Sequence, residues 1–130
     1  METLGLVGAL REELQALQTR TGVQGSLGTA GEESLLTPEE AHALYRIAEE
    51  ALSNVERHAN AQQVDVRLDC GADRIDLVIR DDGTGFDLAT VDLERYGLTG
   101  MRERAAMIGA SVEVNSRPGG GTEVWCVLKR

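Results

Sequence analysis

TPEEAHALYRIAEEALSNVERHA, residues 37–59, decides how the rest of the chain is read. Thr37, Pro38 and Glu40 supply an N-cap, a proline at the first helical position and a capping-box carboxylate, so a helix is predicted from Pro38 to about Ala59. At about 100° per residue, Ala41, Leu44, Ile47, Ala48, Ala51, Leu52, Val55 and Ala59 share one apolar arc, which must meet a sheet. Glu50, Asn54 and Arg57 lie within roughly 60° of one another on the far side, aligning a carboxylate, a carboxamide and a guanidinium along one stripe. Such a stripe would hold a metal ion and phosphate together. It is equally what a solvated helix face looks like, and the spacing alone leaves both readings open.

Downstream, Val64, Val66, Leu68 and Cys70 alternate with Asp65, Arg67 and Asp69. Gly71-Ala72-Asp73 and then Ile75, Leu77 and Ile79 follow, so a hairpin with one buried face is predicted. After Asp81-Asp82-Gly83-Thr84-Gly85 comes a polar stretch to Arg95, and Gly97 to Gly100 open a helix of roughly Thr99 to Ile108. Two last strands, Val112–Ser116 and Thr122–Leu128, flank Pro118-Gly119-Gly120-Gly121. Upstream, Leu4, Leu6, Val7, Leu10, Leu14 and Leu17 mark an amphipathic helix. Between it and Thr37, the Gly/Ser/Thr-rich residues 21–31 support at most a marginal strand around Val23 and Leu27. The predicted fold is a two-layer α/β sandwich, a mixed and mostly antiparallel sheet with helices on one face.

Each glycine motif has a plain reading beside a chemical one. Asp81-x-Gly83-x-Gly85 after a strand is either an ordinary turn or a place where backbone approaches a flat base while the aspartate accepts from an exocyclic amine. Gly97-Leu98-Thr99-Gly100 is either a loop and cap or a set of N–H groups turned toward an anion at a helix start. Gly119-Gly120-Gly121-Thr122 divides in the same way between a tight hairpin and close approach of a ligand.

The order of the motifs narrows the choice. Glu-x-x-x-Asn on a helix, Asp-x-Gly-x-Gly after a hairpin, Gly-x-x-Gly opening a helix and Gly-Thr before the final strand resemble the N, G1 and G2 boxes and terminal element of the GHKL ATPases, which include gyrase and the histidine kinases. LYRIAEEALSNVERHANA (44–61), IRDDGTGFD (79–87), YGLTGMRERAAMIGA (96–110) and PGGGTEVWCVL (118–128) are similar to sensor histidine kinases that partner response regulators with helix-turn-helix output domains. The resemblance spans roughly residues 35–128. It implies that the chain binds ATP and Mg²⁺, with Asn54 as the metal ligand and Glu50 orienting or deprotonating the attacking group. Arg57 would contact phosphate, Asp81 the adenine amine, and Gly83 and Gly85 the base pocket, with Thr122 supporting that end. Gly97, Leu98 and Gly100 would stand at the base of a short lid, about Asp87 to Tyr96, and His58 beside the nucleotide in a structural or supporting place.

The resemblance also sets the expected organisation. His42 and His58 both lie on the capped helix, where neither matches a phosphoacceptor. Residues 1–20 resemble the segment leaving a dimerisation domain, and residues 21–130 an ATP-binding catalytic domain. Expected partners are a histidine-bearing dimerisation domain of the same protein and a response regulator, within a homodimeric parent from which this piece alone is monomeric.

Composition agrees and excludes several classes. With one Trp, two Tyr and one Phe, the core must be aliphatic, and 42% hydrophobic residues mark a folded chain. A formal charge of −9 opposes nonspecific nucleic-acid binding. Cys70 and Cys126 sit among alternating apolar residues without metal-ligand spacing and read most simply as buried thiols. No stretch approaches the ~20 apolar residues of a membrane span, which with the cysteines suggests a cytoplasmic location, whether or not the parent protein is membrane-anchored. The competing readings are a nonenzymatic nucleotide-sensing or docking module and a GHKL serine kinase acting on a partner protein.

Overall fold

The computed structural model describes residues 5–90 and 92–130, and the side chains of all of these except Ala59, Leu93 and Arg95. The expectations for Leu4 on the first helix and for the Ala59 side chain on the apolar arc fall outside what is described. In chain order the main elements are α1 (Gly5–Thr21), β1 (Gln24–Gly31), α2 (Pro38–Asn54), β2 (Gln63–Cys70), β3 (Arg74–Asp81), α3 (Leu98–Met107), β4 (Ala110–Ser116) and β5 (Thr122–Lys129). The sheet order is β1-β2-β3-β5-β4, with β1 parallel to β2 and every other pair antiparallel. The alternation read in the sequence is the pleat itself: Val64, Val66, Leu68, Ile75, Leu77, Ile79, Val124, Cys126 and Leu128 are buried toward the three helices. This is the predicted sandwich.

α2 starts where its capping box says. The Thr37 hydroxyl accepts from the Glu40 N–H (3.1 Å), and the Glu40 carboxylate accepts from the Thr37 N–H (2.9 Å). Leu44, Ile47, Ala48, Ala51 and Leu52 bury its apolar arc. The last turn differs from expectation: Val55–Ala59 forms a π-helical turn, closed by Asn60 in the left-handed region at φ 49°. A π turn needs more residues per revolution, so the uniform 100° spacing no longer fixes where Arg57 and His58 point.

β1 is a full eight-residue strand, more than residues 21–31 promised. Edge pairing through backbone groups does not require apolar side chains, and a glycine has a steric purpose here. A Cβ on Gly25 would lie 2.9 Å from Leu14 Cδ2, so its absence lets α1 pack close to the strand. Leu6, Leu10, Leu14 and Leu17 of α1 join the same core as the sheet. The helix is tied at both ends, by Val7 N–H donating to Glu33 (2.8 Å) and by Arg20 donating to Glu56 (2.9 Å). Leu10, with no exposed surface, should therefore behave as a core residue. Leu10→Ala is expected to cost about 2–5 kcal/mol in urea unfolding; a cost near zero would mean that α1 is peripheral.

The outer face of the sheet carries ion pairs, Arg67–Asp69, Arg74–Asp76 and Arg80–Glu123, and Trp125 donates its indole N–H to Asp76 (2.9 Å). Arg74 beside it lowers the Asp76 carboxyl. Such a face suits water. Cys70 and Cys126 are free, buried thiols, and burial pushes Cys126 up to about 11. Among the described residues no helix is long and apolar enough to cross a membrane.

Candidate functional site

At the open end of the sandwich, the end of α2 faces the C-terminal end of β3, the start of β5 and the start of α3. Asp81 closes β3 and is 8% exposed, and its carboxylate accepts from the Gly83 N–H at 2.8 Å. Burial raises its pKa, partly offset by the amides of Gly83 and Thr122. Asp82 next to it is exposed and accepts from the N–H groups of Gln62 and Gln63 (both 2.9 Å), which lower its carboxyl. Two adjacent aspartates thus have opposite environments. Asp82 pins the loop to the start of β2, and Asp81 keeps an acceptor oxygen inside.

The loop after Asp81 is clasped by the β4–β5 turn. Gly119 N–H donates to the Thr84 carbonyl (2.6 Å), and Phe86 N–H donates to Ser116 Oγ (2.8 Å). Gly85 lies at φ 63°, and any Cβ there would overlap the Arg117 carbonyl oxygen and stand 2.8 Å from that of Gly121. This glycine is therefore required by both its conformation and its neighbours.

Glu50 and Asn54 face α3 and the segment before it. The Asn54 carboxamide donates to the Tyr96 carbonyl (2.6 Å), which turns its Oδ1 toward Arg57, 3.5 Å away. Arg57 is also 3.6 Å from Glu50, so the guanidinium bridges the carboxylate and the carboxamide across the wider π turn. The Glu50 carboxylate rests against Gly97, whose φ of 66° and missing side chain make room for it at the α3 N-terminus. α3 begins one residue earlier than predicted, at Leu98, and Gly100 lies inside its first turn with only Arg104 Nη1 near its missing Cβ.

One small cavity, about 20 Å³, gathers Asn54, His58, Asp81, Leu98 and Thr122 with Ala51, Ile79, Val124, Phe86 and Tyr96. Five predicted site residues thus converge there. Glu50, Arg57, Gly83, Gly85, Gly97 and Gly100 stand around it without lining it. Water-sized room contrasts with the roughly 300 Å³ or more of a small-ligand site. Phe86 and Tyr96 stack at 4.4 Å between centroids, and His58 tilts onto Tyr96 at 4.8 Å. The site also includes Phe86, Tyr96 and Ser116, which no glycine or helix motif assigns to it. The two aromatics flank glycine motifs in a chain with very few aromatic residues, which was an available signal.

The residues suit a hard divalent cation only in part. Among the described residues no three His, Cys, Asp or Glu side chains form a metal cluster, so an all-protein cage is absent. An oxygen donor such as Asn54 Oδ1 fits Mg²⁺, which keeps several waters and takes further oxygens from phosphates.

Residues 39–130 match the family model described as histidine kinase-, DNA gyrase B-, and HSP90-like ATPase. The chain belongs to this ATPase family. Within it, the chain is 32% identical over 128 residues to the signal transduction histidine-protein kinase/phosphatase DegS of Bacillus subtilis, covering 94% of this chain and 33% of that protein. It is 44% identical over 81 residues to the sensor histidine kinase LiaS of the same organism, covering 62% of this chain and 22% of that protein. The chain thus spans about a third or less of these curated relatives. The histidine kinase domain of a blue-light activated kinase from Erythrobacter litoralis superposes with a TM-score of 0.77 at 20% identity, over 96% of this chain and 61% of that one. That likeness establishes the ATPase fold.

Proposed function

We propose that this ATPase domain is the Mg-ATP-binding catalytic domain of a two-component sensor histidine kinase, which donates the γ-phosphoryl group to a histidine on a separate dimerisation domain. The observation that carries the reading is the convergence of Asn54, Asp81, Leu98 and Thr122 on one cavity, with Glu50 and Arg57 bridged beside Asn54. Asp81 offers a buried acceptor to the adenine amine, and the loop held by Gly83 and Gly85 brings backbone to the base. Arg57 contacts phosphate oxygens, and the N–H groups from Gly97 to Gly100 face them at the start of α3. Glu50 then leaves Gly97 to orient the incoming imidazole. Mg²⁺ on Asn54 would neutralise charge on the β- and γ-phosphates.

With these groups the work is mostly positioning and charge stabilisation, because phosphoryl transfer needs little covalent help from the protein. The parent protein is proposed to be a cytoplasmically exposed homodimer that passes phosphate to a response regulator. Asn54→Ala in the full protein is expected to lower autophosphorylation about 100-fold or more, and in this chain to abolish the gain in ATP affinity on adding Mg²⁺. Radiolabelled phosphate transfer and calorimetry read the two effects. An Asn54→Ala protein with full kinase activity contradicts the assignment.

A further inference from the structure

Ser116 ends β4 with its side chain turned inward, 8% exposed. Its hydroxyl is a junction with three neighbours: the Phe86 N–H at 2.8 Å, the Gly121 carbonyl at 3.1 Å and the Thr122 hydroxyl at 2.8 Å. A hydroxyl has one proton to give and two lone pairs. The Phe86 amide can only donate and the Gly121 carbonyl can only accept, so Ser116 donates to Gly121 and accepts from Phe86. Its second lone pair is then left for Thr122, whose proton points at Ser116. Thr122 lines the cavity beside Asp81, and in this arrangement it presents only lone pairs there.

We propose that Ser116 is a positioning residue that sets base specificity: by taking the Thr122 proton it makes the Asp81–Thr122 end of the site acceptor-only, selecting a purine with an amine at the 6-position over one with a carbonyl there. The inference rests on the nucleotide-site reading above and adds a residue which that reading does not use. An amine at the purine 6-position meets acceptors and is satisfied. A carbonyl there meets lone pairs, and leaving such a buried group unpaired is what discriminates. Without the Ser116 hydroxyl, Thr122 is free to rotate its proton into the cavity and serve a carbonyl, and the Phe86 N–H loses its acceptor.

The test is a pair of calorimetric titrations, ATP and GTP each with Mg²⁺, on the unmodified chain and on Ser116→Ala, Ser116→Thr and Ser116→Val. Thr and Val have nearly the same shape and differ in the hydroxyl, so the pair separates hydrogen bonding from packing. The ATP-to-GTP affinity ratio is expected to fall about tenfold in the Ala and Val variants, the size of one buried hydrogen bond, and to stay near its starting value in Thr. Amide exchange at Phe86 should accelerate in Ala, where that N–H has lost its acceptor. Binding of ATP with a ratio unmoved by Ser116→Ala overturns the Ser116 role alone. An unmodified chain that binds neither nucleotide overturns the nucleotide site, and this specificity with it.

Discussion

Gly85→Ala is expected to destabilise the fold by about 3 kcal/mol or more, a large share of the 5–15 kcal/mol available to a domain. Two costs combine. A non-glycine residue in the left-handed region costs roughly 1–2 kcal/mol, and at φ 63° Gly85 is in that region. The new Cβ must also displace two backbone carbonyls, those of Arg117 and Gly121, which cannot swing aside as a side chain would; overpacking of this kind costs roughly 1–3 kcal/mol. The turn it would push away carries Ser116 and Thr122, so nucleotide affinity should fall as well. Gly100→Ala is the control, because it sits in α3 at an ordinary φ with only Arg104 Nη1, 3.9 Å away, near its missing Cβ. Alanine there should stabilise the helix by up to about 1 kcal/mol. Urea midpoints measure both. A Gly85→Ala chain as stable as the original would mean that the clasp between the two loops does not exist in solution.

Asp81→Asn is expected to lower ATP affinity about 100-fold while leaving the fold as stable at neutral pH. The asparagine oxygen can keep the bond from the Gly83 N–H, which fixes the carboxamide with its NH₂ group toward the cavity. A donor then faces the adenine amine, itself a donor, and the mismatch both loses a bond and leaves polar groups unpaired. Stability is spared because the substitution removes a buried charge.

The pH dependence has two signs. Burial raises the Asp81 pKa in the folded chain above its unfolded value, so this group adds stability at low pH and withdraws it as pH rises through the folded pKa. ATP affinity runs the other way, falling as acid protonates the acceptor. The window opens at the ordinary aspartate pKa of the unfolded chain and extends upward to the raised folded value, and Asp81→Asn should erase both trends. An Asp81→Asn chain that binds ATP normally would place the base elsewhere.

Features held by interactions of short range along the chain are legible in the sequence, and those held by distant partners are not. The α2 cap was legible because Thr37 and Glu40 satisfy each other three residues apart. The inward faces of β2, β3 and β5 were legible because a half-buried strand alternates. The π turn at Val55–Ala59 was not, since no residue type demands it and it is set by what the helix end meets. β1 was underestimated because pairing to β2 supplies what its small side chains do not. In the site, Asp81, Asn54 and Thr122 could be named from motif order. The Ser116 bond to Phe86 spans 30 residues of sequence, and only the packing of two glycine loops brings the partners together. Gly85 could be flagged as a turn glycine, but the two carbonyls that exclude any side chain come from the far hairpin.

Calorimetric titration of this chain with ATP, with and without Mg²⁺, beside Asp81→Asn decides whether the adenine site exists. Saturable binding that Mg²⁺ strengthens and Asp81→Asn removes is the predicted result. No binding at millimolar nucleotide, or equal binding by Asp81→Asn, would contradict it.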